Sequence, residues 1–207
     1  AENVQVIWGA GFMTQQTRLR HRPRELRAVR GYLSLANLPA NWRMEVTALG
    51  DPGVLIGDMI ERAPTVPGRI GFIPHYTHKA LPLVGLVQRL PNVYFIDIQQ
   101  GVESFMKSVS SCEVVVASAM HGLIAADSLG IPTRWVSFGD QPLPAGGTFK
   151  FHDYFSVAGQ PQVSPDPLFM PADVRRAADR ALSRDVHSMK APLLHAAPFR
   201  INSKDVE

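Results

Sequence analysis

One short segment of the sequence carries residue types suited to binding an anion. The apolar run Val114–Ala117 leads through Ser118 to His121, and a helix-like pattern begins at Gly122. In an open α/β sheet, ligands bind beyond the carboxyl ends of the strands, and amide groups at a helix start attract phosphate or carboxylate. His121 could donate to such an anion or carry a proton. A histidine that only caps the helix fits the same pattern equally well.

Two further cations, far apart in the sequence, could serve an anionic ligand. Lys150 follows a glycine-rich loop and lies three residues ahead of Asp153, which could orient the lysine or accept a proton. Taken alone, this segment is more typical of a solvated lysine ahead of an amphipathic helix. Arg30 ends a short apolar step before Gly31 and by itself indicates little.

Other features favour structural roles over chemistry. Asp51 precedes a proline at the start of a helix-like segment, as an N-cap residue does. His75 and His78 have a loose metal-pair spacing with no evident third ligand, so we expect no metal site. Cys112 is the single cysteine, which rules out an internal disulfide and a thiolate zinc cluster.

The segments that must position these residues alternate between strand-like and helix-like patterns. Strands separated by helices of about ten residues predict βαβ units. Val114–Ala117 is entirely apolar and mostly β-branched, which is typical of a strand buried on both faces. We therefore expect an α/β fold, a Rossmann-like parallel sheet with this strand at its centre and helices on both faces. The alternating segments are 70–74, 80–90, 93–96, 101–109, 113–117, 122–129 and 133–138, and a further helix is expected over 172–184.

The composition excludes several broad classes of protein. With 207 residues, 45% hydrophobic and 19% charged, the chain can bury a core and is not mainly disordered. It has no apolar stretch of the length that a membrane span needs. The net charge of +3 does not indicate nucleic-acid binding.

A basic stretch departs from this even charge balance. Residues 17–30 hold six arginines against one acid, Glu25, so we expect most of residues 17–24 to be exposed. One hypothesis is that they face an anionic lipid surface, where each arginine adds on the order of 1 kcal/mol of binding. A solvated loop with no partner explains the pattern as well.

Seven segments, taken in order, resemble the polysaccharide pyruvyl transferase family, especially the ketal pyruvyltransferases of xanthan- and succinoglycan-type exopolysaccharide synthesis. No single segment is specific, but their joint order and spacing is, over roughly residues 3–159. The segments are VIWGAG (6–11), RAVRG (27–31), GDPGVL (50–55), FIPHY (72–76), AMHGLI (119–124), GIP (130–132) and FKFHDYF (149–155).

The resemblance implies an architecture and a reaction. Such enzymes are built like GT-B-type glycosyltransferases with two Rossmann-like halves, and this chain looks like the C-terminal half, so we expect a further segment upstream. The implied domains are a lead-in strand and basic stretch (1–40), a Rossmann-like donor-binding domain (41–165), and a C-terminal helix with a loose tail (166–207). The implied reaction transfers pyruvate from phosphoenolpyruvate to a lipid-linked oligosaccharide in the cytoplasm, at the inner face of the membrane, and forms a cyclic ketal. It requires no metal or other cofactor.

The resemblance also assigns roles to individual residues. Family members carry Arg-Leu-His-Gly or Ser-Leu-His-Gly where phosphoenolpyruvate binds, and Met120 stands here in place of the arginine of many members. His121 is then the acid or a phosphate ligand, and Asp153 a weaker candidate for the base or sugar-binding role. The remaining donor-binding candidates are Arg30, Ser118, Gly122 and Lys150.

Two alternative functions stay open at this point. A GT-B-type glycosyltransferase would place the diphosphate of a nucleotide-sugar donor at the same helix start. The fold therefore does not distinguish a glycosyltransferase from a pyruvyltransferase. A non-catalytic module would use the arginine stretch to bind polyanions or anionic lipid.

Overall fold

The computed structural model describes residues 5–139, 141–142, 146–160 and 163–199. In chain order, the described elements are β1 (Val6–Ala10), β2 (Glu25–Val29), α1 (Tyr32–Asn37), α2 (Ala40–Arg43), β3 (Ala48–Leu49), a 3-10 helix (Pro52–Asp58), β4 (Ile70–Ile73), a second 3-10 helix (Tyr76–His78), α3 (Pro82–Val87), β5 (Val93–Phe95), α4 (Val102–Ser110), β6 (Val114–Ala117), α5 (Met120–Ser128), β7 (Thr133–Phe138), α6 (Phe149–Val157), β8 (Asp166–Leu168), α7 (Asp173–Ala178) and α8 (His187–His195).

The chain divides into two compact units that are not continuous in sequence. Unit 1 comprises residues 1–55, 145–163 and 185–207, and unit 2 comprises residues 56–144 and 164–184. These units follow contacts rather than chain order, and the three segments expected from the sequence stay a prediction.

Unit 1 is built on a small parallel sheet with the strand order β1-β2-β3. Helices α1 and α6 contact each other, and α8 contacts β3. Helix α8 was not expected, because the sequence analysis left a loose tail here. It is anchored by the buried Leu193, whose carbonyl accepts a hydrogen bond from Trp8 Nε1 at 2.8 Å. The apolar cluster of the unit centres on Phe12, Leu26, Val29 and Leu38.

Unit 2 holds a five-stranded parallel sheet with the order β5-β4-β6-β7-β8. Strand β6 lies at its centre, as predicted. Phe72 and Val116 face a cluster that includes residues of α3 and α7. Ile73 comes next in β4 and so points to the opposite face, where it lies against Gly122 of α5. The prediction of an α/β fold with helices on both faces is confirmed.

The bounds of helices α3, α5 and α7 differ from the sequence expectation, and α3 covers only Pro82–Val87 of the expected 80–90. Helix α5 begins at Met120 rather than at Gly122, with Ala119 as its N-cap residue. It ends at the expected place, because Gly130 takes the left-handed conformation (φ 73°) that closes helices. Helix α7 ends at Ala178, ahead of an antiparallel bridge between Thr133 and Leu182.

Most of residues 17–24 are exposed, as predicted from the charge of this segment. Arg18, Arg20, Arg22 and Arg24 are all exposed, whereas the intervening Pro23 is buried. Among the helices within the described ranges, none is long and apolar enough to cross a membrane.

Candidate functional site

The carboxyl ends of the three parallel strands of unit 1 bring together residues that are distant in sequence. Phe12 follows β1, Arg30 follows β2 and Asp51 follows β3. The Asp51 carboxylate accepts a hydrogen bond from the Gly53 amide at 3.0 Å and so caps the 3-10 helix, as predicted. Because ligands bind beyond the carboxyl ends of parallel strands, this edge is a candidate binding site.

Arg30 and Asp153 belong to a closed ring of hydrogen bonds. Arg30 donates from Nε to Asp153 Oδ2 at 3.0 Å and from Nη2 to the Phe12 carbonyl at 2.7 Å. The Phe12 amide donates to Ser34 Oγ at 3.0 Å, and that hydroxyl donates to Asp153 Oδ2 at 2.5 Å. The Ser34 amide adds a bond to Asp153 Oδ1 at 2.7 Å. We call these four residues, Phe12, Arg30, Ser34 and Asp153, the arginine ring.

Two glycines allow the arginine ring to close. A Cβ atom on Gly31 would lie 1.8 Å from the Asp153 carbonyl oxygen, and one on Gly11 would lie 2.5 Å from Arg30 Cζ. Both distances are far inside van der Waals contact. Gly11 of the VIWGAG segment is therefore required by close packing against Arg30, and Gly31 of the RAVRG segment by close packing against Asp153.

Lys150 lies in the same unit, in the first turn of α6. Its exposed fraction is only 9%, so the solvated lysine that the segment suggested is wrong. In the described part of the chain Lys150 has no hydrogen-bond or ion-pair partner, and its Nζ lies 5.6 Å from the centre of the Phe151 ring. Burial lowers the pKa of Lys150, and the nearby Arg30 charge lowers it further.

The charge balance around Lys150 favours an anionic ligand. Two buried cations, Arg30 and Lys150, lie close together, and the carboxylate that pairs with Arg30, Asp153, already accepts three hydrogen bonds. Unit 1 as a whole carries eleven lysines and arginines against eight acids, whereas unit 2 carries ten of each. The net positive charge of the chain therefore belongs to unit 1.

A second group of polar residues lies at the carboxyl edge of the unit 2 sheet. Ser118 follows β6 and is buried, and its Oγ accepts a hydrogen bond from the His75 amide at 2.9 Å. His121 lies in the first turn of α5 with an exposed side chain. Met120, beside it, is 5% exposed and offers no charge.

Gly122 has a packing role besides the donor-binding role expected from the sequence. Its amide donates to the Ala119 carbonyl at 3.0 Å, inside the first turn of α5. A Cβ atom there would lie 2.9 Å from the Ile73 side chain, so the glycine brings α5 close to β4. Its assignment to the donor stays a prediction.

His78 is the buried histidine of this edge. Its ring lies edge-on to Phe138 at 5.0 Å between centres, and its Nδ1 has no partner among the residues the structure describes. Burial lowers the pKa of His78, while a hydrogen bond to the Pro142 backbone acts in the opposite direction. His78 therefore lies packed against Phe138, and burial disfavours its charged form.

A family model described as polysaccharide pyruvyl transferase matches residues 5–140. The chain belongs to the polysaccharide pyruvyl transferase family. The match includes Arg30, Ser34, Ser118 and His121, and it ends ahead of Lys150 and Asp153.

Two curated relatives extend the comparison. An uncharacterised protein of Acanthamoeba polyphaga mimivirus is 36% identical over 159 residues, which cover 74% of this chain and 55% of that protein. The succinoglycan biosynthesis protein ExoV of Rhizobium meliloti (strain 1021) is 24% identical over 159 residues, 74% of this chain and 46% of ExoV. The chain thus spans about half the length of these relatives.

The structure brings three of the six predicted site residues together. Arg30, Asp153 and Lys150 lie in unit 1, whereas Ser118, His121 and Gly122 lie in unit 2. Asp153 has no exposed surface, which favours a role in positioning Arg30 over one on the acceptor sugar.

Sequence reasoning missed Ser34 altogether. The available signal was its spacing, four residues after Arg30 and in the first turn of the next helix.

Within the described ranges, no group of three or more His, Cys, Asp or Glu side chains could hold a metal ion. Burial raises the pKa of the Cys112 thiol to about 11, so this sulfur is unreactive.

Proposed function

We propose that the protein transfers a pyruvyl group from phosphoenolpyruvate to a sugar of an exopolysaccharide repeat unit. A proton adds to C3 of the enol, which makes C2 electrophilic. Two hydroxyls of one sugar then form two C–O bonds to C2, and the bond from C2 to the phosphate oxygen breaks. The products are a cyclic pyruvate ketal and inorganic phosphate, and the two hydroxyl protons go to C3 and to the phosphate.

The observation that carries this proposal is the buried cation pair Arg30 and Lys150. A buried ammonium group without a carboxylate partner is costly unless it loses its proton or gains an anion. Phosphoenolpyruvate offers both a carboxylate and a phosphate to such a pair. Membership of the polysaccharide pyruvyl transferase family supports this choice of anion over other metabolites.

The remaining predicted residues take the proton and phosphate roles. We assign proton delivery to C3, or a hydrogen bond to the phosphate, to His121, because its exposed side chain lies at the start of α5. Ser118 and the turn before Gly122 are assigned to donor binding. Met120 is apolar and supplies no charge, and we assign the cations that bind the donor to Lys150 and Arg30.

For the acceptor we propose a lipid-linked oligosaccharide, met at the cytoplasmic face of the membrane. The exposed arginines of residues 17–24 support peripheral contact with anionic lipid. Replacing Arg18, Arg20 and Arg22 by glutamine should weaken binding to anionic vesicles at low salt. Vesicle binding that stays unchanged would leave these arginines as a solvated loop.

Ligand binding tests the choice of donor. Phosphoenolpyruvate should raise the melting temperature of the full chain and bind more tightly than a UDP-sugar or sulfate. Lys150→Met should weaken phosphoenolpyruvate binding by roughly tenfold or more, the scale of one charge-assisted hydrogen bond. The matched control is Lys107→Met, which removes an exposed lysine paired with Glu103.

Two results would overturn the proposal. One is stabilisation by the UDP-sugar with none by phosphoenolpyruvate, which would favour a glycosyltransferase. The other is equal phosphoenolpyruvate affinity in Lys150→Met and in the control variant, since the cation pair would then play no part in binding.

A further inference from the structure

The arginine ring contains two residues, Ser34 and Asp153, that the proposed reaction does not use directly. Both have no exposed surface. We propose that Ser34 and Asp153 are positioning residues that hold the Arg30 guanidinium in one orientation for an anionic ligand. This inference rests on the proposed anion site and not on the identity of the anion.

The contacts of Asp153 suit it to orienting a cation and not to accepting a proton from a sugar. Its Oδ1 accepts a hydrogen bond from the Ser34 amide, and its Oδ2 accepts hydrogen bonds from the Ser34 hydroxyl and from Arg30 Nε. A general base must come within hydrogen-bond reach of the proton it removes. Neither oxygen of this buried carboxylate offers that access.

The contacts of Arg30 leave one edge of its guanidinium for a ligand. A guanidinium carries five N–H groups, and two of them are donated inside the ring, to Asp153 and to the Phe12 carbonyl. Nη1 makes no bond to any described residue and is not among the buried atoms that lack a partner, so it retains access to solvent. Fixed N–H groups of this kind suit carboxylate or phosphate.

Ser34 connects the two halves of the ring. Its hydroxyl accepts from the Phe12 amide and donates to Asp153, while the Phe12 carbonyl accepts from Arg30. Each of the two groups that hold the guanidinium is therefore itself held by Ser34. Because a preorganised group loses less entropy on binding, removing this hydroxyl should weaken anion binding although it never touches the anion.

The test compares Ser34→Ala with a matched control, Ser156→Ala, in the full chain. Ser156 Oγ also accepts a backbone amide, that of Tyr32, and donates to an oxygen of Asp153, but to its carbonyl and not its carboxylate. Both variants therefore remove one hydroxyl between α1 and α6, and only Ser34→Ala opens the arginine ring. The probes are inorganic phosphate and phosphoenolpyruvate, titrated calorimetrically at a temperature where both variants are folded.

Ser34→Ala should weaken binding of both probes by roughly tenfold, and Ser156→Ala should leave affinity near that of the unmodified chain. In an Arg30→Lys background the guanidinium is absent, so Ser34→Ala should cause little further loss. Equal losses in the two serine variants, unchanged affinity in Ser34→Ala, or no phosphate binding at all would overturn the inference. If phosphate binds as described and phosphoenolpyruvate does not, the inference stands and the proposed donor is wrong.

Discussion

Removal of the charge on Asp153 is the sharpest test of the electrostatics of unit 1. Asp153→Asn keeps the size of the side chain but leaves the buried Arg30 without its carboxylate partner, beside the second buried cation, Lys150. Breaking a buried ion pair by neutralising one partner costs about 3–5 kcal/mol, because the other charge stays buried and uncompensated. The side chains of Arg30 and Asp153 are 6% and 0% exposed, so solvent screening reduces this cost little.

The expected effect is large enough for thermal denaturation. At about 2–4 °C per kcal/mol for a chain of this size, Asp153→Asn should lower the melting temperature of the protein by roughly 6–20 °C. Saturating phosphate should recover part of the loss, since a bound anion replaces the missing negative charge. Glu103→Gln, which breaks an exposed ion pair on α4, serves as the control and should leave the melting temperature unchanged.

A melting temperature of Asp153→Asn within about 2 °C of the unmodified protein would refute this reasoning. It would mean that water or a relaxed side chain compensates the two cations without help from Asp153. A full loss that phosphate does not relieve would instead show that the carboxylate is needed for packing alone.

Three further predictions follow from individual positions. Gly31→Ala should prevent unit 1 from folding stably, because the added Cβ would overlap the Asp153 carbonyl. Thermal melts followed by circular dichroism would show this loss, and the control Gly85→Ala, with open space around the added Cβ, should keep the melting temperature of the unmodified protein. Lys150→Met should raise the free energy of unfolding at neutral pH. The pKa of Lys150 is lowered on folding, so the free energy of unfolding of the unmodified protein rises with pH between the folded and unfolded pKa values of this lysine. The advantage of Lys150→Met over the unmodified protein should therefore shrink over that pH range. His121→Ala should reduce pyruvyl transfer by roughly 10²-fold with little change in melting temperature; normal transfer with a lower melting temperature would show a structural cap.

The sheet of unit 2 could be predicted from the sequence because its signals are local. Val114–Ala117 is a continuous apolar strand, and Gly130 with Pro132 marks the end of the helix that follows it. Each of these features acts over a few residues. The start of α5 was placed two residues late, since Ala119 caps it without any side-chain hydrogen bond.

The site in unit 1 could be predicted only in part because its contacts are long-range. Arg30 and Asp153 are 123 residues apart, and Ser34 and Asp153 are 119 apart. No local pattern shows that a lysine at the start of an amphipathic helix will be buried beside a distant arginine. Helix α8 was not predicted for a local reason, because Pro192 lies inside it and interrupts the helical sequence pattern.

The discontinuity of unit 1 has a consequence for how the protein forms during synthesis. Strands β1 to β3 leave the ribosome before α6 and α8, but the counter-ion of Arg30 is on α6, and the helix that contacts β3 is α8. Unit 2, most of which is one continuous segment, is translated after β3 and before α8. Unit 1 therefore cannot complete its fold until residue 153 has been synthesised, because Arg30 has no counter-ion before then. The β4–β7 region can fold earlier. Chains stalled before α6 should consequently expose the β1–β3 sheet to chaperones and proteases.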